Sequence, residues 1–288
     1  MSRGRSWWLS SVVLSAVAAE TGAAQPAWGA APDKSGYTLF NPVPQELLRE
    51  LSPDRPDKTE SPYTVDAGHF QMEMDFANFT YNQTDGTTTR AWIVAPFNLK
   101  AGLLNNVDFQ LAFGGYMHAN THVAGGSTTQ SGIGDLTTRL KINLWGDDGG
   151  RAAFALLPFV TFPTSTDNLG TQAVEGGIIF PLAVKLPRNF NLGLETAVGF
   201  LREDNVSNYH GDFINSFTVS HDLIGRLAGF VELFSDISTD PHSGWVGTVD
   251  AGLTYLVTDN VQLDGGCNFG VTHAADDFNP FAGITVRF

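Results

Sequence analysis

The stretch Asn279-Pro280-Phe281-Ala282-Gly283-Ile284-Thr285-Val286-Arg287-Phe288 decides the reading of this chain. Pro280, Ala282, Ile284, Val286 and Phe288 take one face of an extended segment, and Asn279, Gly283, Thr285 and Arg287 take the other. A period-two segment closing on an aromatic residue has the pattern of a terminal strand of a bacterial outer-membrane β-barrel. Phe288 is then the assembly signal read by the barrel-assembly machinery, and outer-membrane lipid is the solvent.

The pattern recurs upstream. Phe70, Met72, Met74 and Phe76 alternate with His69, Gln71, Glu73 and Asp75. Leu136, Thr138, Leu140, Ile142 and Leu144 alternate with Asp135, Thr137, Arg139, Lys141 and Asn143. Arg139 and Lys141 are costly facing lipid, so the charged face is assigned to the lumen. Strands are expected near 68–81, 89–102, 107–117, 133–145, 151–163, 172–186, 190–202, 211–222, 225–235, 244–256, 261–271 and 278–288. That is an all-β fold, an antiparallel transmembrane β-barrel of about 12 strands over 67–288. Connections alternate between tight turns and longer loops at 118–132, 164–171, 203–210 and 236–243. The segments at 151–163, 211–222 and 225–235 fit least well, which leaves counts of ten and fourteen open: Ala152 to Val160 is apolar on both faces, and Phe230, Glu232 and Phe234 conflict with Val231 and Leu233.

Arg3 and Arg5, the apolar run from Trp7 to Ala19 and the small residues Gly22-Ala23-Ala24 form the three regions of a signal peptide over 1–30, which predicts export to the outer membrane. Without Arg3, Arg5 and Glu20 the chain keeps 14 basic and 29 acidic residues, a net charge near −15 that disfavours nucleic acid. No later stretch is long and apolar enough for a membrane helix. The lone Cys267 forms no intramolecular disulfide. Residues 31–66 carry Pro32, Pro42, Pro44, Pro53, Pro56 and Pro62 among alternating charges, a composition that neither pairs inside a sheet nor makes a long helix. They read as a periplasmic tail or plug gating the near mouth of the barrel.

The lumen face collects Glu73, Asp75, Arg90, Lys100, Asp108, Gln110, Asp135, Arg139, Lys141, Glu175, Lys185, Glu195, Asp250, Gln262, Asp264 and Arg287, with Trp92 and Phe281 as inward rings. These charges are expected to pair across strands or to line a polar path. The small inward residues Gly177, Ala183, Gly193, Ala197, Gly199, Gly252, Gly266 and Gly283 imply curvature or room for a solute. Trp145, Phe190, Phe200, Trp245, Tyr255 and Phe288 fit the interfacial girdle.

Catalysis finds little footing. Ser220 and His221 point to opposite faces, no Gly-x-Ser-x-Gly elbow occurs, and Ser207-Asn-Tyr-His210 in a loop is the one remaining arrangement. His118 and His122 have no helix to bring them to a metal. No cofactor, metal or nucleotide motif is found. A lipocalin-like secreted barrel would need the two faces reversed.

Leu51-Ser-Pro-Asp-Arg-Pro-Asp-Lys-Thr-Glu-Ser-Pro-Tyr-Thr-Val-Asp-Ala-Gly-His-Phe-Gln71, Ala95-Pro-Phe-Asn-Leu-Lys100 and Gly132-Ile-Gly-Asp-Leu-Thr-Thr-Arg-Leu-Lys141 before Leu144-Trp145-Gly146 resemble the outer-membrane transporter family named for the meta-pathway of phenol degradation. The resemblance spans nearly the whole chain after the leader. It implies passive passage of small aromatic or apolar solutes and supplies no catalytic residues. A general small-solute pore is the alternative, with a structural or lipid-hydrolysing barrel behind it.

Overall fold

The computed structural model describes residues 33–202 and 208–288. The expected signal peptide and Ser207 lie outside the described residues. Fifteen strand segments form one antiparallel sheet: β1 (Phe70–Thr84), β2 (Thr87–Val94), β3 (Phe97–Leu104), β4 (Val107–Phe113), β5 (Tyr116–Val123), β6 (Gly126–Ile133), β7 (Leu136–Trp145), β8 (Ala152–Phe162), β9 (Glu175–Lys185), β10 (Phe190–Arg202), β11 (Tyr209–Ile224), β12 (Leu227–Ser238), β13 (Val246–Thr258), β14 (Val261–Gly270) and β15 (Phe278–Arg287). β2 runs on into β3, β4 into β5 and β6 into β7, so the closed barrel has 12 staves. β15 pairs with β1 to close it, and Phe70 and Phe288 exchange both backbone hydrogen bonds at 2.9 Å.

The polarity is inside out relative to a water-soluble fold. Lys100, Lys141, Gln110, Glu232, Asp108 and Asp250 are among the largest fully buried side chains, while Phe76, Leu144, Leu233 and Leu253 are exposed. Polar residues face in and apolar residues face out, which suits lipid outside and removes the lipocalin arrangement. The six girdle residues expected from the sequence are all exposed. No helix among the described residues is long and apolar enough to cross a membrane, as a strand-spanning fold requires none.

The three doubtful segments fall into place through their partners, that at 211–222 as β11 between β10 and β12. In β8, Ala153, Ala155 and Leu157 face inward and are fully buried, and Leu157 packs with Ile179 and Ala197 in a small apolar core inside the barrel. In β12, Glu232 lies opposite the inward Thr218 and Asp250, which turns Phe230 and Phe234 inward and Val231 and Leu233 to lipid.

The expected loop at 118–132 is instead a tall hairpin, β5 and β6 turning at Ala124-Gly125. Its Thr, Asn, Ser and His residues are polar on both faces, which hides the alternation. A transverse crease separates the tall part from the wall beneath it. It runs from the bulge between Asp75 and Ala77 through Ala95-Pro96 and Gly114-Gly115 to Gly134-Asp135. The backbones there touch: a Cβ on Gly134 would lie 2.7 Å from Cα of Gly114, and one on Gly115 2.6 Å from N of Pro96. Ala95 (φ 52°) and Gly115 (φ 74°) adopt left-handed backbone at this line.

The crease reverses which residues face inward. Below it Lys100 pairs with Gln71 and points into the lumen; above it Trp92 lies opposite Phe79, and Arg90 opposite Tyr81, on the outer surface. The expectation that Arg90 and Trp92 line the lumen is therefore corrected. Period-two counting fails across a bulge because one unpaired residue shifts the phase.

Candidate functional site: a lumen occupied by residues 49–66

Prolines at 53, 56 and 62 keep this segment out of sheet and helix, so its backbone polar groups need side-chain partners. The inward face of the barrel provides them. Asp54 accepts from Lys100 and from Lys141, each at 2.5 Å, and its backbone N–H donates to Glu73 at 3.2 Å. Arg55 reaches Asp75 at 2.6 Å and Asp264 through Nη2 at 2.6 Å and Nε at 2.9 Å. Lys58 pairs with Asp250 at 3.0 Å and lies 4.5 Å from the ring centre of Phe234. Thr59 donates to Glu232 from its N–H (2.8 Å) and its hydroxyl (2.6 Å). The backbone N–H of Glu60 donates to Glu195 at 2.6 Å, and its carboxylate takes Arg139 at 2.5 Å. The N–H of Val65 donates to Asp108 at 3.0 Å.

Ten of the expected lumen residues meet one segment: Glu73, Asp75, Lys100, Asp108, Arg139, Lys141, Glu195, Asp250, Asp264 and, through the Arg49 carbonyl, Arg287. Cross-strand pairing, the expected arrangement, is represented by Lys100 with Glu73; the remaining ion pairs of these ten go to the segment. Phe281 faces inward against Gly266. Asp135 and Glu175 sit higher. Asp135 accepts the backbone N–H groups of Thr164, Ser165 and Thr171 and fastens that loop, and Glu175 accepts from the N–H of Arg202.

Two groups escaped the sequence reading. Glu232, an acceptor for Lys58, Thr59 and Thr218, lay in the strand of uncertain phase. At the tight-turn end, Arg49 bonds Asp148 at 2.9 Å and the Asn105 carbonyl at 2.6 Å, while Arg287 donates to the Arg49 carbonyl at 2.7 Å. No periodicity signals a contact of this kind.

The glycines are explained by what lies against them. A Cβ on Gly177, Gly252 or Gly266 would meet the rings of Phe159, Phe230 or Phe281, and one on Gly193 would come within 3.1 Å of Thr59. On Gly283 it would overlap Arg55.

Carboxylates outnumber cations around the segment, and its own acids register this. Burial, reinforced by the Glu232 carboxylate, pushes Asp57 up to about 8. Burial and the nearby Asp54 push Glu60 up to about 7. Asp54 is also buried, but Lys100 and Lys141 hold it well below the usual carboxylate range. In the turn after β7, burial raises Asp147 to about 6 against the pull of Arg49.

The segment is bonded to β10, β12, β13 and β14 as well as to β1, β3, β4 and β7, but it does not fill the lumen. It leaves a cavity of about 700 Å³ at the tight-turn end, lined by Leu47, Leu51, Pro56, Lys185, Thr218 and Phe230 among others. Among the described residues no group of three or more His, Cys, Asp or Glu side chains is placed to hold a metal ion. Ser220 faces inward, opposite Phe230, and its neighbour His221 stacks on Phe190 outside at 4.1 Å between ring centres.

A sequence profile described as "Putative MetA-pathway of phenol degradation" matches residues 53–288. The chain belongs to that family. The match begins at Pro53 and so takes in much of the lumenal segment as well as the wall. Among solved structures, the COG4313 outer membrane channel from Pseudomonas putida F1 is similar at 13% identity, with 81% of this chain and 99% of that chain covered and a TM-score of 0.56. The NanC porin is similar at 8% identity, with 74% and 98% covered and a TM-score of 0.50. The translocator domain of the autotransporter NalP from Neisseria meningitidis is similar at 9% identity, with 76% and 88% covered and a TM-score of 0.50. At these identities the likeness is one of fold, an outer-membrane type of barrel. No curated protein sequence matches the chain.

Proposed function

We propose that the protein is a passive outer-membrane channel for small, monoaromatic or similarly apolar compounds, throttled by residues 49–66. The observation that carries this reading is the space the segment leaves inside the lumen. Ion pairs fasten it to β1, β3, β7, β13 and β14, and a cavity of about 700 Å³ stays open at the tight-turn end, lined in part by β9 to β14. The inward rings of Phe159, Phe230, Phe234 and Phe281 offer apolar contact along the lumen, and the family description supplies the aromatic class. Flux follows the concentration gradient kept up by consumption inside the cell. The leader at 1–30 accounts for export, and the assembly machinery for insertion through the strand ending at Phe288. No step of this role needs catalysis.

Proteoliposome uptake of a labelled phenol beside a small neutral sugar tests the reading, with empty liposomes as background. Faster entry of the phenol alone supports a selective channel. Equal acceleration of both replaces it with a general pore, and acceleration of neither removes the channel reading. Deleting residues 33–66 should raise flux of the phenol severalfold in a barrel that still folds; unchanged flux removes the throttle.

A further inference from the structure

The tall sheet above the crease presents a four-by-four outward grid. Its lowest row is Ala77, Val94, Tyr116 and Ile133; above it come Phe79, Trp92, His118 and Ser131, then Tyr81, Arg90, Asn120 and Thr129, then Gln83, Thr88, His122 and Ser127. The first row continues the apolar belt, the second holds the aromatic girdle, and the upper two are polar. The upper three rows hold no acidic residue of their own, in a chain with 30 of them and a formal net charge of −14; Asp277 and Asp167 stand at the two edges, accepting from the backbone N–H of Gln83 and Ser131. The three rows contain Arg90, His118 and His122.

Arg90 makes no ion pair among the described residues and lies 5.9 Å from the ring centre of Tyr81. An outward arginine is costly at the bilayer midplane and nearly free at the interface, so its height is set. Successive rows are two residues apart, roughly 5 Å of height for strands tilted by about 40°. A headgroup layer is roughly 5 to 7 Å deep. The Arg90 row therefore stands at headgroup level, and the His122 row just beyond it. The long connections at 163–174, 239–245 and 271–277 lie at this end, and the short ones after β3, β7, β9, β11 and β13 lie with the Phe70–Phe288 pair at the other, which puts this face in the outer leaflet.

We propose that this face is a binding surface for the phosphorylated glycolipid of the outer leaflet. Arg90 takes a phosphate of the acylated disaccharide, the Phe79–Trp92 pair packs on its chains, and Asn120, Thr129, His118 and His122 bond its hydroxyls. Charge complementarity argues for this occupant: a guanidinium with no carboxylate partner among the described residues accepts an anion, and the continuous apolar row beneath it requires that the anion carry acyl chains.

The test is native mass spectrometry of the full chain in detergent, titrated with diphosphoryl lipid A and separately with phosphatidylglycerol. Heat-modifiable gel mobility verifies that each variant is folded. Lipid A is expected to bind at least fivefold tighter than phosphatidylglycerol. R90Q should lose most of that preference and R90K retain it, while R226Q, at the opposite end of the barrel, should leave it intact. N120D sets a carboxylate beside Arg90 and should weaken lipid A as R90Q does, which keeps the question answerable if R90Q does not fold. Equal affinity for the two lipids, R90Q binding like the unmodified chain, or R226Q losing as much as R90Q each overturn the proposal. None of these outcomes depends on what the channel passes.

Discussion

Lys141, wholly buried on the inner face of β7, donates to Oδ1 of Asp54 at 2.5 Å, and the other oxygen of that carboxylate takes Lys100 at the same distance. Neither ammonium reaches water. Asp54→Ala should destabilise the folded barrel by about 3 kcal/mol or more, because it strands buried charge. Asp54→Ala combined with Lys141→Met should recover part of the loss. Urea midpoints in lipid vesicles measure both, and an unchanged midpoint for the single variant contradicts the pairing.

The seat of the segment should depend on pH. Asp57, facing Glu232, is raised to about 8 and Glu60, facing Asp54, Glu195 and Arg139, to about 7, whereas a free carboxylate titrates near 4. The seated form therefore binds protons that the released form gives up. Through these two groups seating weakens as pH rises from about 4 to about 8 and changes no further above that, while below about 4 the depressed Asp54 acts in the opposite direction. Planar-bilayer conductance should climb across this window and stay flat when Asp57→Asn and Glu60→Gln are combined. A fall in conductance with rising pH in the unmodified chain would reverse the sign and reject the account.

Gly102 lies where the segment passes closest to β3, and a Cβ there would overlap the backbone carbonyl of Asp66 and lie 2.6 Å from that of Val65. Backbone cannot swing aside as a side-chain tip can. Gly102→Ala should cost about 2 kcal/mol and increase flux, while Gly126→Ala, in open space, should change neither. Denaturation and uptake on the same preparations settle the comparison.

Trp92 is expected to be quenched by brominated lipid chains, since it stands on the outer surface beside Phe79 at 4.6 Å between ring centres. Trp92→Phe should remove that share of the quenching. Quenching of Trp92 by a water-soluble agent confined to the lumen, with none from lipid, would place the ring inside.

The number of staves and most of their limits were legible because lipid and a charged interior impose opposite demands on alternate residues, as along Phe70 to Asp75 and Asp135 to Leu144. The same logic broke at Ala95-Pro96, where an inserted residue shifts phase without any mark in hydropathy, and it sent Arg90 and Trp92 to the wrong side. The hairpin at β5 and β6 was hidden because above the membrane both faces are polar. That Asp54 answers Lys141, 87 residues away, was not readable at all, because periodicity records faces, not partners.

Arg55 has a consequence beyond filling space. It grasps Asp75 on β1 with one arm and Asp264 on β14 with the other, passing over Gly283 of β15. β15 and β1 are the pair that closes the cylinder. The guanidinium is therefore a rivet across the seam, set from within. Withdrawing the segment removes the rivet in the same motion, so an open bore and a loosened seam are two readings of one equilibrium.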